Sequence, residues 1–280
     1  MITDSQTNFL WLADCLPNNI KYPTFFNRFI KVLNTLNIPF GLLPHTKDVW
    51  AVDYMPIQIA ADKFVQFKYD PDYLQTIEYR KTISDVDTIC KTINLHPKKS
   101  ELLVDGGNVI RASDKILMTE KVFKENKHIS KKEVTKQLTE AFEVDKIFFV
   151  PYEKDDEIGH IDGMVRFIDD NTVLINDYYF DKSDFPKALK AALQKAGLEW
   201  VELPYNPVYD TKSYSARGFY INYLQMSQGI IMPTFNLTTD DIAYKKLQEV
   251  FKGQPIVTVD SREVAKEGGV LNCITWNVFK

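Results

Sequence analysis

The chain has 280 residues, 45% apolar, 26% charged and 13% aromatic, which excludes a disordered, collagenous or coiled-coil chain and lets about three quarters of its surface be buried. A net charge of −4, from 34 Lys and Arg against 38 Asp and Glu, supports neither a nucleic-acid face nor an anionic-membrane binder, and no apolar run approaches the roughly 18 residues of a membrane span. Three widely spaced cysteines (Cys15, Cys90, Cys273) argue against a disulfide framework and for a reducing, cytoplasmic setting, and four histidines without a Cys/His pair at ligand spacing argue against a structural zinc site.

Met1–Asn19 lacks a basic leader and carries Asp4 and Asp14 around its apolar stretch, so it does not read as a signal peptide. Within it, Asn8–Ala13 reads as a strand. Phe26, Phe29, Ile30, Leu33 and Leu36 then fall on one helix face, followed by an apolar run at Ile38–Leu43. A hairpin pattern pairs Pro56–Ala60 with Lys63–Phe67, and Asp70–Leu95 reads as mostly helical. The next run, Glu101–Val104, precedes a hairpin of Val109–Ala112 and Lys115–Thr119. Ser130 and Glu133 form a capping box ahead of Val134, Leu138, Ala141 and Phe142. Lys146–Val150 leads to a hairpin of Met164–Ile168 and Thr172–Ile175. Phe185, Leu189, Ala192, Leu193 and Ala196 share a helix face that stops at Gly197. Trp200–Leu203 precedes Phe219–Leu224 and Gly229–Met232, and Ala243, Leu247, Val250 and Phe251 form the last helix face. Pro255–Val259 and one hairpin strand, Val270–Val278, end the chain.

The pattern is a repeat. Asp53, Gly106, Gly159, Gly218 and Gly268 are spaced by 53, 53, 59 and 50 residues, each shortly after an apolar run. The unit is strand, loop, hairpin, helix, occurring about five times in one α/β domain spanning residues 1–280. The fifth unit lacks a hairpin strand, so the strand at 8–13 is expected to complete it and close a ring, which removes exposed edges. An open α/β sheet with irregular spacing is the alternative.

In a ring, the loops between first strand and hairpin converge near the axis. They hold Trp50–Pro56, Asp105–Asn108, Gly159–Gly163, Ser215–Gly218 and Gly268–Cys273. One histidine, His160, and one cysteine, Cys273, lie there with Asp53, Asp105 and Asp162. Singly, each has a plain structural reading: a buried thiol, a satisfied histidine, a turn, a cap. Together they suggest nucleophilic catalysis with acid–base help. Carboxylates beside a thiol oppose an oxyanion but suit a guanidinium, whose fork of N–H donors pairs with carboxylates. An extended His160–Asp162 segment would point both side chains the same way.

With Trp50-Ala-Val-Asp53-x-x-Pro56, Asp105-Gly-Gly-Asn108, Gly159-His160-Ile-Asp162 and Gly268-Gly-Val-Leu-Asn-Cys273 in this order, the sequence resembles the agmatine deiminase and bacterial peptidylarginine deiminase family over nearly its whole length. The resemblance implies a five-bladed α/β-propeller, the pentein fold. It implies that Cys273 attacks the guanidinium carbon, Asp53 and Asp162 grip its nitrogens, and His160 serves as acid and then base. Asp105, where the family often has Glu, would orient His160, and Trp50 would line the substrate site. No metal or organic cofactor is implied, and the partner is a small cationic guanidino substrate such as agmatine or arginine. A bound cation and an imidazolium would draw the Cys273 thiol toward thiolate.

Val52 stands where the family usually has Arg, Asn272 where it commonly has His, and Gly218 where the fourth loop often has Asn. An α-carboxylate would need an arginine clamp, for which Arg217 and Arg166 are the candidates. Arg166 otherwise reads as a surface residue of its strand. The expected activity is hydrolysis to a ureido product and ammonia. The alternatives are an amidinotransferase or alkylamine-releasing hydrolase, and a catalytically silent pentein that binds a partner.

Overall fold

A computed structural model describes residues 1–153, 156–205 and 215–280. The elements run β1 (Phe9–Ala13), α1 (Phe25–Thr35), β2 (Phe40–Leu43), α2 (Ala51–Tyr54), β3 (Ile57–Ala60), β4 (Lys63–Lys68), α3 (Ile77–Arg80), α4 (Val86–Thr92) and β5 (Lys98–Leu103). They continue with β6 (Ile110–Arg111), β7 (Lys115–Thr119), α5 (Lys121–Glu125), α6 (Lys131–Phe142), β8 (Lys146–Val150), β9 (Val165–Phe167), β10 (Thr172–Asn176) and α7 (Phe185–Lys195). The last are β11 (Glu199–Leu203), β12 (Leu224–Met226), β13 (Gly229–Thr234), α8 (Thr239–Val250), β14 (Ile256–Asp260) and β15 (Thr275–Val278). Among the described residues, no helix is long and apolar enough to cross a membrane.

The strands form five three-stranded sheets, ordered β15-β1-β2, β3-β4-β5, β6-β7-β8, β9-β10-β11 and β12-β13-β14. In each, the middle strand is antiparallel to its hairpin partner and parallel to the strand that follows the helix. The first sheet joins the two ends of the chain, with Phe9 opposite Val278 and Leu10 opposite Phe40. The expected completion of the last unit by the N-terminal strand is therefore seen.

Hydrogen bonds link the edge strands in a cycle. Trp276 Nε1 donates to Pro56 O (2.8 Å), joining β15 to the entry of β3, and Arg111 Nη1 donates to Gln58 O (3.3 Å), joining β6 to β3. Ser113 N–H donates to Asp170 (2.8 Å), joining the turns of the second and third hairpins. Arg166 Nη1 donates to Tyr223 O (3.0 Å) and Asn277 Nδ2 to Gln225 O (3.5 Å), joining β9 and β15 to the fourth hairpin. Asp4 adds a knot at one end, accepting from Arg111 (2.9 Å), Arg166 (2.6 Å) and Asn277 (3.4 Å).

The helices form where the apolar spacing places them. In α6 the buried residues are Val134, Leu138, Ala141 and Phe142, and Ser130 Oγ accepts the Glu133 N–H (3.2 Å). Burying each large side chain is worth about 1.5–3 kcal/mol. Gly197 ends α7 at φ +72°, a left-handed position that favours glycine. The start of α1 is capped from outside: Glu263 accepts the N–H groups of Thr24 (3.0 Å) and Phe25 (3.1 Å) and pairs with Arg28 (2.9 Å).

Three expectations need correction. Asp70–Leu95 holds only a 3-10 turn and the short α3 and α4, because Pro71 and the polar run around it interrupt helical spacing. Strand β12 begins at Leu224, not Phe219, and β15 at Thr275, not Val270. In both cases the residues ahead of the strand are spent on turns that aim side chains at the site.

Candidate active site

The site is built from short helical turns that follow the parallel strands. Asp53 lies in the single turn α2; Gly106–Asn108 and Ile161–Gly163 are 3-10 turns after β5 and β8; Cys273 lies in the turn before β15. The first and last turns are tied together by Val52 N–H donating to Cys273 O (3.4 Å).

His160 sits between two carboxylates, with Nε2 2.9 Å from Asp105 Oδ2 and Nδ1 3.4 Å from Asp53 Oδ1. All three side chains are no more than 10% exposed. Such close approach requires Gly107: a Cβ there would lie 2.6 Å from both Asp53 Oδ1 and His160 Nδ1. Instead its N–H donates to Asp53 Oδ1 (3.1 Å). Across the site, Asp162 Oδ2 accepts from Cys273 Sγ (3.6 Å), Asn272 Nδ2 (2.7 Å) and Asn222 Nδ2 (3.1 Å). Trp50 borders the cysteine, since a Cβ on Gly269 would lie 2.4 Å from Trp50 Cζ3 and 2.9 Å from Cys273 Cβ.

His160 and Asp162 are not on one extended segment. His160 keeps extended backbone, but Asp162 lies inside a 3-10 turn, whose residues are spaced about 120° apart. Their side chains therefore diverge, His160 toward Asp53 and Asp105, Asp162 toward Cys273.

The site is electrostatically tense. Burial pushes the Asp53 carboxyl up to about 8, with the charges of Asp105 and Asp162 adding to it and His160 opposing. Burial alone would lower His160, but Asp53, then the bond and charge of Asp105, lift it to about 10. The Cys273 thiol is raised well above its ordinary value by burial, then by Asp162 and Asp53. The imidazolium therefore does not by itself draw Cys273 toward thiolate, because burial first, and then the carboxylates, hold the thiol protonated.

The two arginine candidates part ways. Arg166 is only 2% exposed and spends its guanidinium on Asp4, on Tyr223 O and on the Tyr223 ring, 4.7 Å away. It is neither a surface residue nor a free clamp, because its strand faces the knot around Asp4. Arg217 is half-buried and donates through Nη2 to Phe235 O (3.3 Å), while its Nε is buried without a partner among the described residues.

Two site residues were not foreseen. Tyr73 donates its hydroxyl to Asp105 Oδ2 (2.9 Å) and sets its ring edge against His160. Asn222 sits in the fourth loop just before Tyr223 and β12, so it, not Gly218, is the asparagine ahead of the aromatic strand. The signal was the Asn-Tyr-Leu run itself, which a hairpin strand drawn from Phe219 concealed. Among the described residues, no group of three His, Cys, Asp or Glu is arranged to hold a metal ion.

Comparison with known proteins shows the family and the fold. An agmatine deiminase of Pseudomonas aeruginosa is 27% identical over 204 residues, 61% of this chain and 54% of that protein. The chain spans 40% to 60% of the length of the curated relatives it matches. In three dimensions it resembles an agmatine deiminase of C. jejuni over 100% of this chain and 96% of that one, with a TM-score of 0.82 at 22% identity. It also resembles a DDAH of Pseudomonas aeruginosa over 97% and 99%, with a TM-score of 0.61 at 14% identity. The sequence profile of the Porphyromonas-type peptidyl-arginine deiminase family matches residues 29–278, and the chain belongs to that family.

Proposed function

We propose that this protein is a hydrolase of a small guanidino compound, acting on a C–N bond of a linear amidine through Cys273. The observation that carries the reading is the meeting of Cys273, His160, Asp53, Asp105 and Asp162, from four separate turns, in one buried cluster. The five sheets and the cycle of bonds between them support a single domain shaped as a five-bladed propeller, with the cluster near its axis. The three free cysteines support a reducing, cytoplasmic setting.

In this reading a guanidinium enters between Asp53 and Asp162, and its charge offsets the carboxylates that hold the thiol protonated. Binding thus favours loss of the protons on Asp53 and Cys273. The thiolate attacks the guanidinium carbon, forming a C–S bond. His160, still an imidazolium, gives its proton to the departing nitrogen as the C–N bond breaks, and ammonia leaves. The neutral imidazole then takes a proton from water, whose oxygen attacks the amidino carbon; the C–S bond breaks and the ureido product forms. Asp105, bonded to His160 and Tyr73, fixes the ring through both steps.

Agmatine fits this site without a clamp. For arginine, Arg217 is, of the two loop-adjacent candidates, the one with a donor to spare among the described residues. Turnover of agmatine, arginine and an arginyl peptide is measured by ureido product and ammonia, with Cys273→Ala as control. Turnover of one guanidino compound, lost by about 10⁴-fold or more in the variant, is expected. Turnover that survives Cys273→Ala defeats the mechanism, and no turnover of any of them defeats the hydrolase reading.

A further inference from the structure

Lys121, in the first turn of α5, is only 2% exposed. Its ammonium has three donors, and three oxygens surround it: Asp72 Oδ1 (2.7 Å), the Glu157 carbonyl (2.6 Å) and Glu125 Oε1 (3.4 Å). No donor is left for a substrate. Burial works against the Asp72 charge, but the bonds from Lys121 and Lys124 hold its carboxyl below the usual range. Burial, and then the Asp72 charge, raise Glu125 to about 7. Asp72 is therefore the principal anion paired with the buried ammonium.

The partners of Lys121 lie next to two residues of the site. Asp72 precedes Tyr73, whose hydroxyl donates to Asp105 Oδ2 (2.9 Å), the same oxygen that His160 Nε2 meets (2.9 Å). Glu157 is three residues ahead of His160. The strand before Lys121 makes matching ties. Thr119, at the end of β7, donates through Oγ1 to Gly159 O (2.7 Å) and through its N–H to Asn108 Oδ1 (2.8 Å). The segment that carries Tyr73 has little burial of its own: residues 75–81 are all exposed, and α3 among them is a single turn. Such a segment opens at low cost unless something holds it. The second cation on Asp72, Lys124 (3.0 Å), is 57% exposed, so Lys121 is the buried tie.

We infer that Lys121 is a positioning residue for the guanidino reaction: it holds Asp72, and so keeps the Tyr73 hydroxyl on Asp105 and the Tyr73 ring against His160. This rests on the hydrolase reading above for its chemistry. Adjacent Cα atoms are about 3.8 Å apart, so an anchored Asp72 leaves Tyr73 little travel. With Tyr73 in place, Asp105 keeps a second donor and the ring edge covers the imidazole, 6.1 Å between centroids. With Tyr73 displaced, water reaches the bond between Asp105 and His160, and the imidazole loses its fixed aim at the leaving nitrogen. Methionine would fill the space of Lys121 without a donor for any of the three oxygens.

The test uses the 280-residue protein with Lys121→Met, Asp72→Ala, Tyr73→Ala and the double variant Lys121→Met/Tyr73→Ala. Turnover of agmatine is measured. Exchange of the His160 Nε2 proton with water is followed by NMR in protein carrying isotope-labelled histidine. Lys121→Met and Asp72→Ala are each expected to lower kcat by about tenfold with KM within about twofold, and to speed the proton exchange by about tenfold. The double variant should lose no more than Tyr73→Ala alone, because Lys121 then has no tyrosine to hold. A purely structural role would lower the melting temperature, leave the proton exchange in place and multiply with the loss in Tyr73→Ala. An unchanged kcat or exchange rate in a folded Lys121→Met or Asp72→Ala variant, or losses that multiply, overturns the proposal. Asp72→Ala carries the test where Lys121→Met does not fold. Where the wild type turns over no guanidino compound yet the variants speed the exchange, the hydrolase reading fails and the hold of Lys121 on Tyr73 stands.

Discussion

Asp53 is a buried carboxylate beside two others, and burial together with the charges of Asp105 and Asp162 holds its proton. Its acid form is favoured up to about pH 8, yet only its anion can pair with a cation. Ligand binding must therefore release a proton below that pH. The Cys273→Ala variant, which binds without turnover, should bind agmatine about tenfold more tightly per pH unit up to about 8, and no more tightly beyond. Calorimetry in buffers of different ionisation heat should show a proton leaving on binding at pH 7. In Asp53→Asn on the same background the dependence should vanish; if it persists, another group carries the proton. His160 is raised to about 10 by the Asp53 charge first and then by Asp105, so it holds its proton most firmly when Asp53 is an anion. Much of this was legible in the sequence, since Cys273, His160 and the three aspartates stand out by their recurrence after apolar runs. The direction of the Cys273 shift was not, because it depends on burial and on distances of 3.6 Å and less between turns far apart in the chain.

At the scale of elements, helix α1 shows how far a cap can come from its helix. Thr24 provides no side-chain cap, and Glu263, beyond β14, supplies it. Burial works against the Glu263 charge, but bonds from Thr24, Arg28 and the Phe25 N–H hold its carboxyl down at about 2. A depressed carboxylate contributes stability that is complete above its unfolded value, about 4.5, and is lost as pH falls through about 2. Glu263→Gln should therefore cost about 1 kcal/mol at pH 7. The gap from wild type should close as unfolding is followed by denaturant from pH 5 to pH 2. A gap that stays constant over that range would mean the side chain acts by packing. The helix itself was readable from the spacing of Phe29 and Leu33. Its cap was not, because a contact across 239 positions leaves no local periodicity. The same holds for Asn222, whose partners lie 50 to 60 residues away.

For the whole molecule, the chain ends decide whether the sheets form a closed set. Strand β1 completes the sheet that holds β15, and Asp4, just ahead of it, receives the guanidinium groups of Arg111 and Arg166 from two other sheets. Burial opposes the Asp4 charge, but Arg166 and Arg111 hold its carboxyl below the usual range. Asp4→Asn would leave two arginines, 12% and 3% exposed, without their anion. The carboxylate keeps 26% of its surface, so the loss should be about 3 kcal/mol, the low end for breaking a buried pair. Denaturant unfolding at pH 7 measures it, and a change below about 0.5 kcal/mol would show that the knot does not hold the sheets.

What the sequence determined alone is what repeats locally: the order of strand, loop, hairpin and helix, the apolar faces of α1, α6, α7 and α8, and the loops that carry the reactive side chains. These rest on spacings of a few residues, which the backbone geometry converts directly into faces and turns. Only the tertiary structure decided where Arg166 spends its charge, that Asn222 and Asn272 both hold Asp162, and how His160 and Asp162 divide the site between them. Those depend on which turns come to lie side by side, and on the loss of water around them. Burial there makes the Asp53 carboxyl and the Cys273 thiol hold protons more firmly than they would in water.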